Sequence, residues 1–371
     1  MPSIAKAGVG CTRGQPVDSG AAMEFELSED QVALQDAARD LLDGYASPER
    51  VRAHLASDAP RDEAVWSAMV EQGWLGVAVP EGEGGLGLGW VEAAVLLEEA
   101  GRHVAPVPLL GALVAIDALR STAWAPSLVT GERQGCVAWS PRPLAGAGGT
   151  LTGTPEPVAG AATADVAAVV TPDGVWAVDL ASAGRPAVEP SMDATQALSW
   201  LRLDGTPAEQ VGGESDARRV LDCAAVAASA ELLGGAARVL EMTAQYAKDR
   251  VQFGQPIGSF QAVKHRCADM VVDVEGMRSV AWYGAWALAA DDPDASTAAS
   301  SAKVWCGDAA KRVMASGLQV HGGIGFTWEH DLHLFMKRSQ LDQVAFGDAA
   351  YHRERLAGFL RDKVAAGQSV I

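Results

Sequence analysis

The segment from Ser215 to Lys248 constrains this chain more than any other. It is rich in alanine and reads as one uninterrupted helix of roughly 30 residues, about 45–50 Å long at 1.5 Å per residue. Alanine lets helix axes approach closely, so a helix of this kind belongs in a bundle. The next stretch breaks the pattern. In DRVQFGQPIGSFQAVKHRCADM, Asp249 to Met270, the residues Gly254, Pro256 and Gly258 interrupt helical periodicity, while Arg250, Gln252 and Gln261 place hydrogen-bond donors beside the break. A buried helix has no use for such an interruption, so the loop is expected to hold something polar.

More helix follows, from Val263 to about Ala290, from Ser296 to Ser316, and from Asp331 to the end. Between the last two lies LQVHGGIGFTWEHDLHLFMKR, Leu318 to Arg338, where Gly322, Gly323 and Gly325 come soon after Gln319. Bare backbone amides there can approach an anion, and with Arg250 for charge and Gln252, Gln261 and Gln319 for directional hydrogen bonds, the two loops form a pyrophosphate-type site. Taken alone, the glycine run is equally a helix-terminating turn.

Upstream, Ser28 is an N-cap followed by Glu29 and Asp30, and Val32, Leu34, Ala37, Ala38, Leu41 and Leu42 follow at helical spacing. Ser47-Pro48-Glu49 starts a second helix, and another runs from about Trp90 to Arg102 after the glycine-rich connector Glu71 to Gly89. From Gly131 to about Gly213 the texture changes to short β-forming runs (CVAW, ADVAAVV, GVWAVDL, SWLRL) between turn clusters. The expected organisation is a disordered leader (1–22), an N-terminal helical domain (23–128), a middle β domain (129–213) and a C-terminal helical domain (214–371). The fold class is mainly α with a small central β domain.

Composition narrows the function. A formal net charge of −18 over 371 residues argues against nucleic acid or an anionic membrane surface as partner. No run of about 18 purely apolar residues predicts membrane insertion. Five scattered cysteines without CxxC spacing indicate neither a disulfide framework nor a zinc site, and fit the reducing cytoplasm. His265, His321 and His330 do not converge at a ligand spacing, so no metal is expected. Trp74, Trp90, Trp282 and Trp286 sit in apolar contexts and are read as core.

The two interrupting loops, together with GWLGVAVPEGEGGLGLG and LLEEAGRHVAPVPLLGA near the N-terminus, resemble the acyl-CoA dehydrogenase family from Met23 onward, most strongly at both ends. The resemblance implies an N-terminal helical domain, a barrel-like middle β domain and a C-terminal four-helix bundle that bind FAD and an acyl-CoA thioester, with an electron-transferring flavoprotein as acceptor. It also implies that the Arg-x-Gln-Phe and Gln-x-x-Gly-Gly motifs grip the FAD of a neighbouring subunit. Carried over, these are Arg250, Gln252, Phe253, Gln261, Gln319, Val320, His321, Gly322 and Gly323.

The implied chemistry, removal of an α-proton with hydride transfer to the flavin, needs a carboxylate base. The family's common position for it falls near Gly347 and a minority position near Ala224, neither acidic here. Asp348, beside Gly347, is the candidate base, though Gly347-Asp348-Ala349-Ala350 also reads as a helix N-cap. Glu231 and Glu241 have a weaker claim, as helical glutamates are usually solvated or ion-paired. Arg338 is expected in a buried ion pair in the bundle. The segments corresponding to the family's flavin-ring contacts, CVAWSPRPLAGAGG and LTGTPEPVAGAATAD, lack its Gly-Ser-Asp and Trp-Ile-Thr runs. A grip on a neighbour's FAD beside an eroded ring site points to a sister subunit that supplies the catalytic Glu. The alternatives are a self-sufficient homotetramer using Asp348, a non-catalytic acyl-CoA-binding scaffold, and a flavin monooxygenase on the same frame.

Overall fold

The computed structural model describes residues 26–57 and 59–367; the expected leader, Cys11 and the boundary at Met23 lie outside the described residues. Six helices come first: α1 (Glu29–Tyr45), α2 (Pro48–Leu55), α3 (Glu63–Glu71), α4 (Trp90–Arg102), α5 (Leu109–Leu119) and α6 (Ala125–Val129). Ser28 caps α1 as its sequence context predicts, its hydroxyl accepting from the Gln31 N–H while the Gln31 side chain accepts from the Ser28 N–H. The middle region holds strands β1 (Gly135–Ala138), β2 (Ala145–Ala147), β3 (Thr150–Gly153), β4 (Val158–Ala159), β5 (Val166–Thr171) and β6 (Gly174–Asp179), the short α7 (Leu180–Ala183), and β7 (Leu198–Ser199), β8 (Leu203–Pro207) and β9 (Glu209–Gly212).

Those strands form three sheets, ordered β1-β5-β6-β9, β2-β3-β8 and β4-β7, wrapped around one small core. β1 runs parallel to β5, and β6 pairs antiparallel with both β5 and β9. Strand β5 is buried on both faces, which is why it reads as an unbroken apolar run. Ala167 and Val169 face the small β core, whereas Val166, Ala168 and Val170 join the large helical core.

The C-terminal helices are α8 (Glu214–Asp249), α9 (Gln261–Ala289), α10 (Ala295–His321), α11 (Leu332–Val344) and α12 (Ala349–Ala365), with the hairpin strands β10 (Val251–Gln252) and β11 (Gln255–Pro256) between α8 and α9. By length and composition α8 could cross a membrane, but 89% of its apolar window is buried inside the protein, so its apolar character serves the core. Its alanines and glycines permit the expected close packing. A Cβ at Gly234 would fall 1.7 Å from the Glu98 carbonyl oxygen, and one at Gly101 would fall 2.0 Å from that of Glu231, so α4 and α8 cross backbone to backbone. The final stretch, read from sequence as helix from Asp331 to the end with an N-cap reading at Asp348, is divided by a corner where Phe346 and Gly347 take φ values of 57° and 98°.

Candidate functional site

The two interrupting loops leave the same end of the bundle. α8 and α10 run in the same direction, and near their C-terminal ends they touch closely: a Cβ at Gly317 would lie 2.7 Å from Val239, and the Tyr246 and His321 rings stack at 4.6 Å. Arg250 ends α8, its N–H donating to the Tyr246 carbonyl. The chain then turns through β10 and β11, with Phe253 and Gly254 at φ 52° and 80°, the left-handed pair of a two-residue hairpin turn. This turn holds Phe253 92% exposed. Gly258 returns the loop onto α8, where a Cβ would come within 2.9 Å of the Ala247 carbonyl oxygen, and Gln261 opens α9.

At the end of α10, Val320 and His321 are buried, Gln319 is exposed, and the Gly322 N–H donates to the Leu318 carbonyl. Gly322 takes φ 61° and ψ −138°, a conformation only glycine adopts readily. Nothing lies within 4 Å of a Cβ placed on Gly322 or Gly323, so their backbone stands open to solvent. Among the described residues the Arg250 side chain makes no ion pair, and that of Gln252 bonds only its own neighbour's carbonyl. An exposed guanidinium, free amide side chains and bare glycine backbone suit an anionic group such as a pyrophosphate. His321 donates to the Gly317 carbonyl through Nδ1, and burial holds its pKa down, so it presents a neutral ring beside this loop.

A second feature lies where the three parts of the chain meet. A cavity of ≈ 80 Å³ is enclosed by Pro108 and Leu110 ahead of and within α5, Val137 and Trp139 from β1 onward, Val158 of β4, and Leu341 and Phe346 at the α11–α12 corner. The two β segments matched to flavin-ring contacts therefore do converge, yet the space holds only a few waters. The Trp139 ring stands edge-on to Tyr351 at 5.1 Å, and the His352 Nε2 is 3.0 Å from the Phe346 carbonyl oxygen, fixing the corner.

Asp348 is outside this wall. It is exposed, and its Oδ1 accepts the Tyr351 N–H at 2.9 Å as the N-cap of α12, the second of the two roles its sequence context allows. Glu241 is likewise engaged further along α8, paired with Arg102 and Arg238. Glu231 does face the cavity, bound to Arg338 at 2.6 Å.

Arg338 is almost fully buried and joins all three parts of the chain. Nε donates to Asp193 Oδ2 at 2.8 Å and Nη1 to Glu231; Nη2 donates to the Ala105 carbonyl and to Thr195. Burial works against its charge, but Asp193 and Glu231 offset this and raise its pKa further. Sequence reasoning expected a buried pair for Arg338 and missed Asp193 and Asp342, which carry no local signal in their segments. It also missed Lys303, wholly buried, whose Nζ donates to the Asp342 and Gln343 carbonyls and whose pKa burial lowers to about 8. Its place among Ala299, Cys306 and Ala310, at helical spacing, was the signal available.

Known proteins resemble this chain over most of its length. Residues 28–121 match the acyl-CoA dehydrogenase N-terminal domain and residues 212–360 the acyl-CoA dehydrogenase C-terminal domain. The chain is 35% identical over 334 residues to acyl-CoA dehydrogenase IpdE2 of Mycolicibacterium smegmatis, spanning 89% of this chain and 98% of that protein. It is 32% identical to acyl-CoA dehydrogenase FadE27 of Mycobacterium tuberculosis, spanning 90% and 98%. Among solved structures, a chain of the ChsE4-ChsE5 complex from Mycobacterium tuberculosis superposes with a TM-score of 0.85 at 30% identity, and one of the Tcur3481-Tcur3483 steroid ACAD with 0.84 at 33%; each comparison covers 91% of this chain and 99% of the other.

Proposed function

The chain belongs to the acyl-CoA dehydrogenase family of FAD-using flavoprotein oxidoreductases, and on that premise we propose that it works as one subunit of a hetero-oligomeric dehydrogenase. In this reading Arg250, Gln252, Phe253, Gln261 and the Gln319–Gly323 loop hold the pyrophosphate half of a FAD whose ring lies in a sister chain. The sister supplies the catalytic Glu. Bound there, FAD would accept the hydride from the β-carbon of an acyl-CoA thioester as the base takes the α-proton.

The observation that carries this reading is the contrast between the two sites. The grip is open, exposed and unpaired, whereas the cavity where this chain's own candidate ring segments meet measures ≈ 80 Å³ between Trp139 and Phe346. Its residues would act by binding and orientation: Arg250 by charge, the glutamines and the Gly323 backbone by directional hydrogen bonds, and Phe253 by apolar contact with the partner's surface. A self-sufficient enzyme with Asp348 as base would have to break the α12 cap and open the cavity.

Two relatives bear on partner and substrate. One superposing chain is part of a two-protein complex and the other of a steroid ACAD, which supports a steroid-derived or similarly bulky acyl-CoA and an unlike partner. The electron acceptor we propose is an electron-transferring flavoprotein. The four cysteines among the described residues are all unpaired, in keeping with a reducing compartment. Co-expression with each neighbouring dehydrogenase-like chain, followed by assay of thioester desaturation with and without Arg250→Ala, tests the reading. Loss of flavin and turnover in the variant complex is expected; an unaffected complex would refute it.

A further inference from the structure

The cavity floor carries an imbalance of charge. Asp193, Glu231 and Asp342 are all at most 5% exposed, and against these three carboxyl groups stand the Arg338 guanidinium and the Lys303 ammonium. Arg338 directs its donors to Asp193, Glu231, Thr195 and Ala105 and gives none to Asp342. Lys303 binds backbone carbonyls only. The Oδ2 of Asp342 has no hydrogen-bond partner although it is shut away from bulk water, and Asp342 and Glu231 both line the cavity.

A buried net charge of −1 is costly and is neutralised by a cation or a proton. No group of three or more acidic, histidine or cysteine side chains among the described residues could hold a metal ion. We propose that the cavity floor is a proton-binding site, with one proton carried by Asp342 as a neutral carboxylic acid that keeps the Arg338 junction between the three parts of the chain balanced.

The surroundings agree. Burial first, and then the negative charge of Glu231, raises the Asp342 pKa well above the carboxylate range; Arg338 and Lys303 act in the opposite sense, and Asp193 adds to the rise. Burial also raises Glu231, which Arg338 pulls back down. Glu156 at the exposed mouth, Cys306, Lys311, His352 and Asp348 around Lys303, and Arg355 beside His352 are the other titratable groups on the packed elements.

The proton makes stability fall with rising pH. Asp342 is protonated in the folded protein and ionised in the unfolded chain over the interval above the ordinary carboxylate value, so its contribution is present at low pH and lost as pH rises through the raised value. Lys303 has the opposite sign: its lowered pKa favours the folded state increasingly from about pH 8 upward. The proton site is independent of whether a sister chain completes the flavin site.

The test is an infrared difference spectrum of the assembled protein together with thermal unfolding from pH 5.5 to 9.5, for wild type, Asp342→Asn and Glu231→Gln. Wild type should show the carbonyl stretch of a buried protonated carboxyl at pH 7, absent in Asp342→Asn. Its melting temperature should fall relative to Asp342→Asn by about 2 °C per pH unit while the folded protein keeps the proton that the unfolded chain has lost, and level off once the folded protein loses it too. No protonated carboxyl signal at pH 7, or parallel melting curves for wild type and Asp342→Asn, would overturn the proposal. Persistence of the signal in Asp342→Asn with its loss in Glu231→Gln would overturn the assignment to Asp342.

Discussion

Replacing Arg338 with Met removes a charged group that ties the N-terminal helices, the β region and the bundle together. The variant leaves Asp193 and Glu231 buried without the cation both depend on, at 2.8 and 2.6 Å. Breaking a buried pair in this way costs about 3–5 kcal/mol, because the remaining charges are uncompensated. Unfolding entropy of about 2.1 cal/mol/K per residue gives about 0.8 kcal/mol/K over 371 residues, so the melting temperature should drop by about 4–6 °C. The loss should shrink toward pH 5, where the freed carboxylates can take up protons, and grow toward pH 8. Differential scanning calorimetry of both proteins at pH 5, 6.5 and 8 provides the comparison. A shift under about 1 °C, or one that is the same at all three pH values, would refute the argument that Arg338 is held by charge at a three-way junction.

Other perturbations test separate parts of the account. Gly234→Ala places a methyl group where the Glu98 carbonyl oxygen lies at 1.7 Å, so it should force α4 from α8 and cost about 3 kcal/mol or more in denaturant titration. Asp348→Ala should lose about 1 kcal/mol as a missing N-cap, with Asp348→Asn nearly neutral and flavin content of the assembled enzyme unchanged by either. Burial lowers the His352 pKa to about 3; the unfolded chain therefore binds the extra proton between about pH 6.5 and 3, and stability should fall through that window on acidification, by about 2 kcal/mol at pH 5, with a flatter acid limb in His352→Gln.

Much of the helical frame was legible because its signals are local. The cap at Ser28 and a proline at the first helical position, Pro48, mark helix starts, and the alanine-rich run of α8 marks its own length. The two interrupting loops were legible for the same reason: glycines and polar side chains break the helices there, and the fold sets Arg250 and Gly322 at neighbouring helix ends. The corner at Phe346 and Gly347 was not, since the left-handed phenylalanine has its carbonyl held by His352 and the end of the preceding helix is held at Gln343 by Lys303, 40 residues earlier. The Arg338 cluster was legible only in part. Asp193 comes to it from a β loop 145 residues away, a distance no periodicity spans.

The central claim is that this chain grips a flavin whose ring belongs to another subunit. Counting FAD per protomer by its visible absorbance, for the chain purified alone and for the chain co-purified with a dehydrogenase-like partner, tests it most directly. The account predicts a colourless chain alone and one FAD per heterodimer when paired. Full flavin occupancy of the single chain would contradict it.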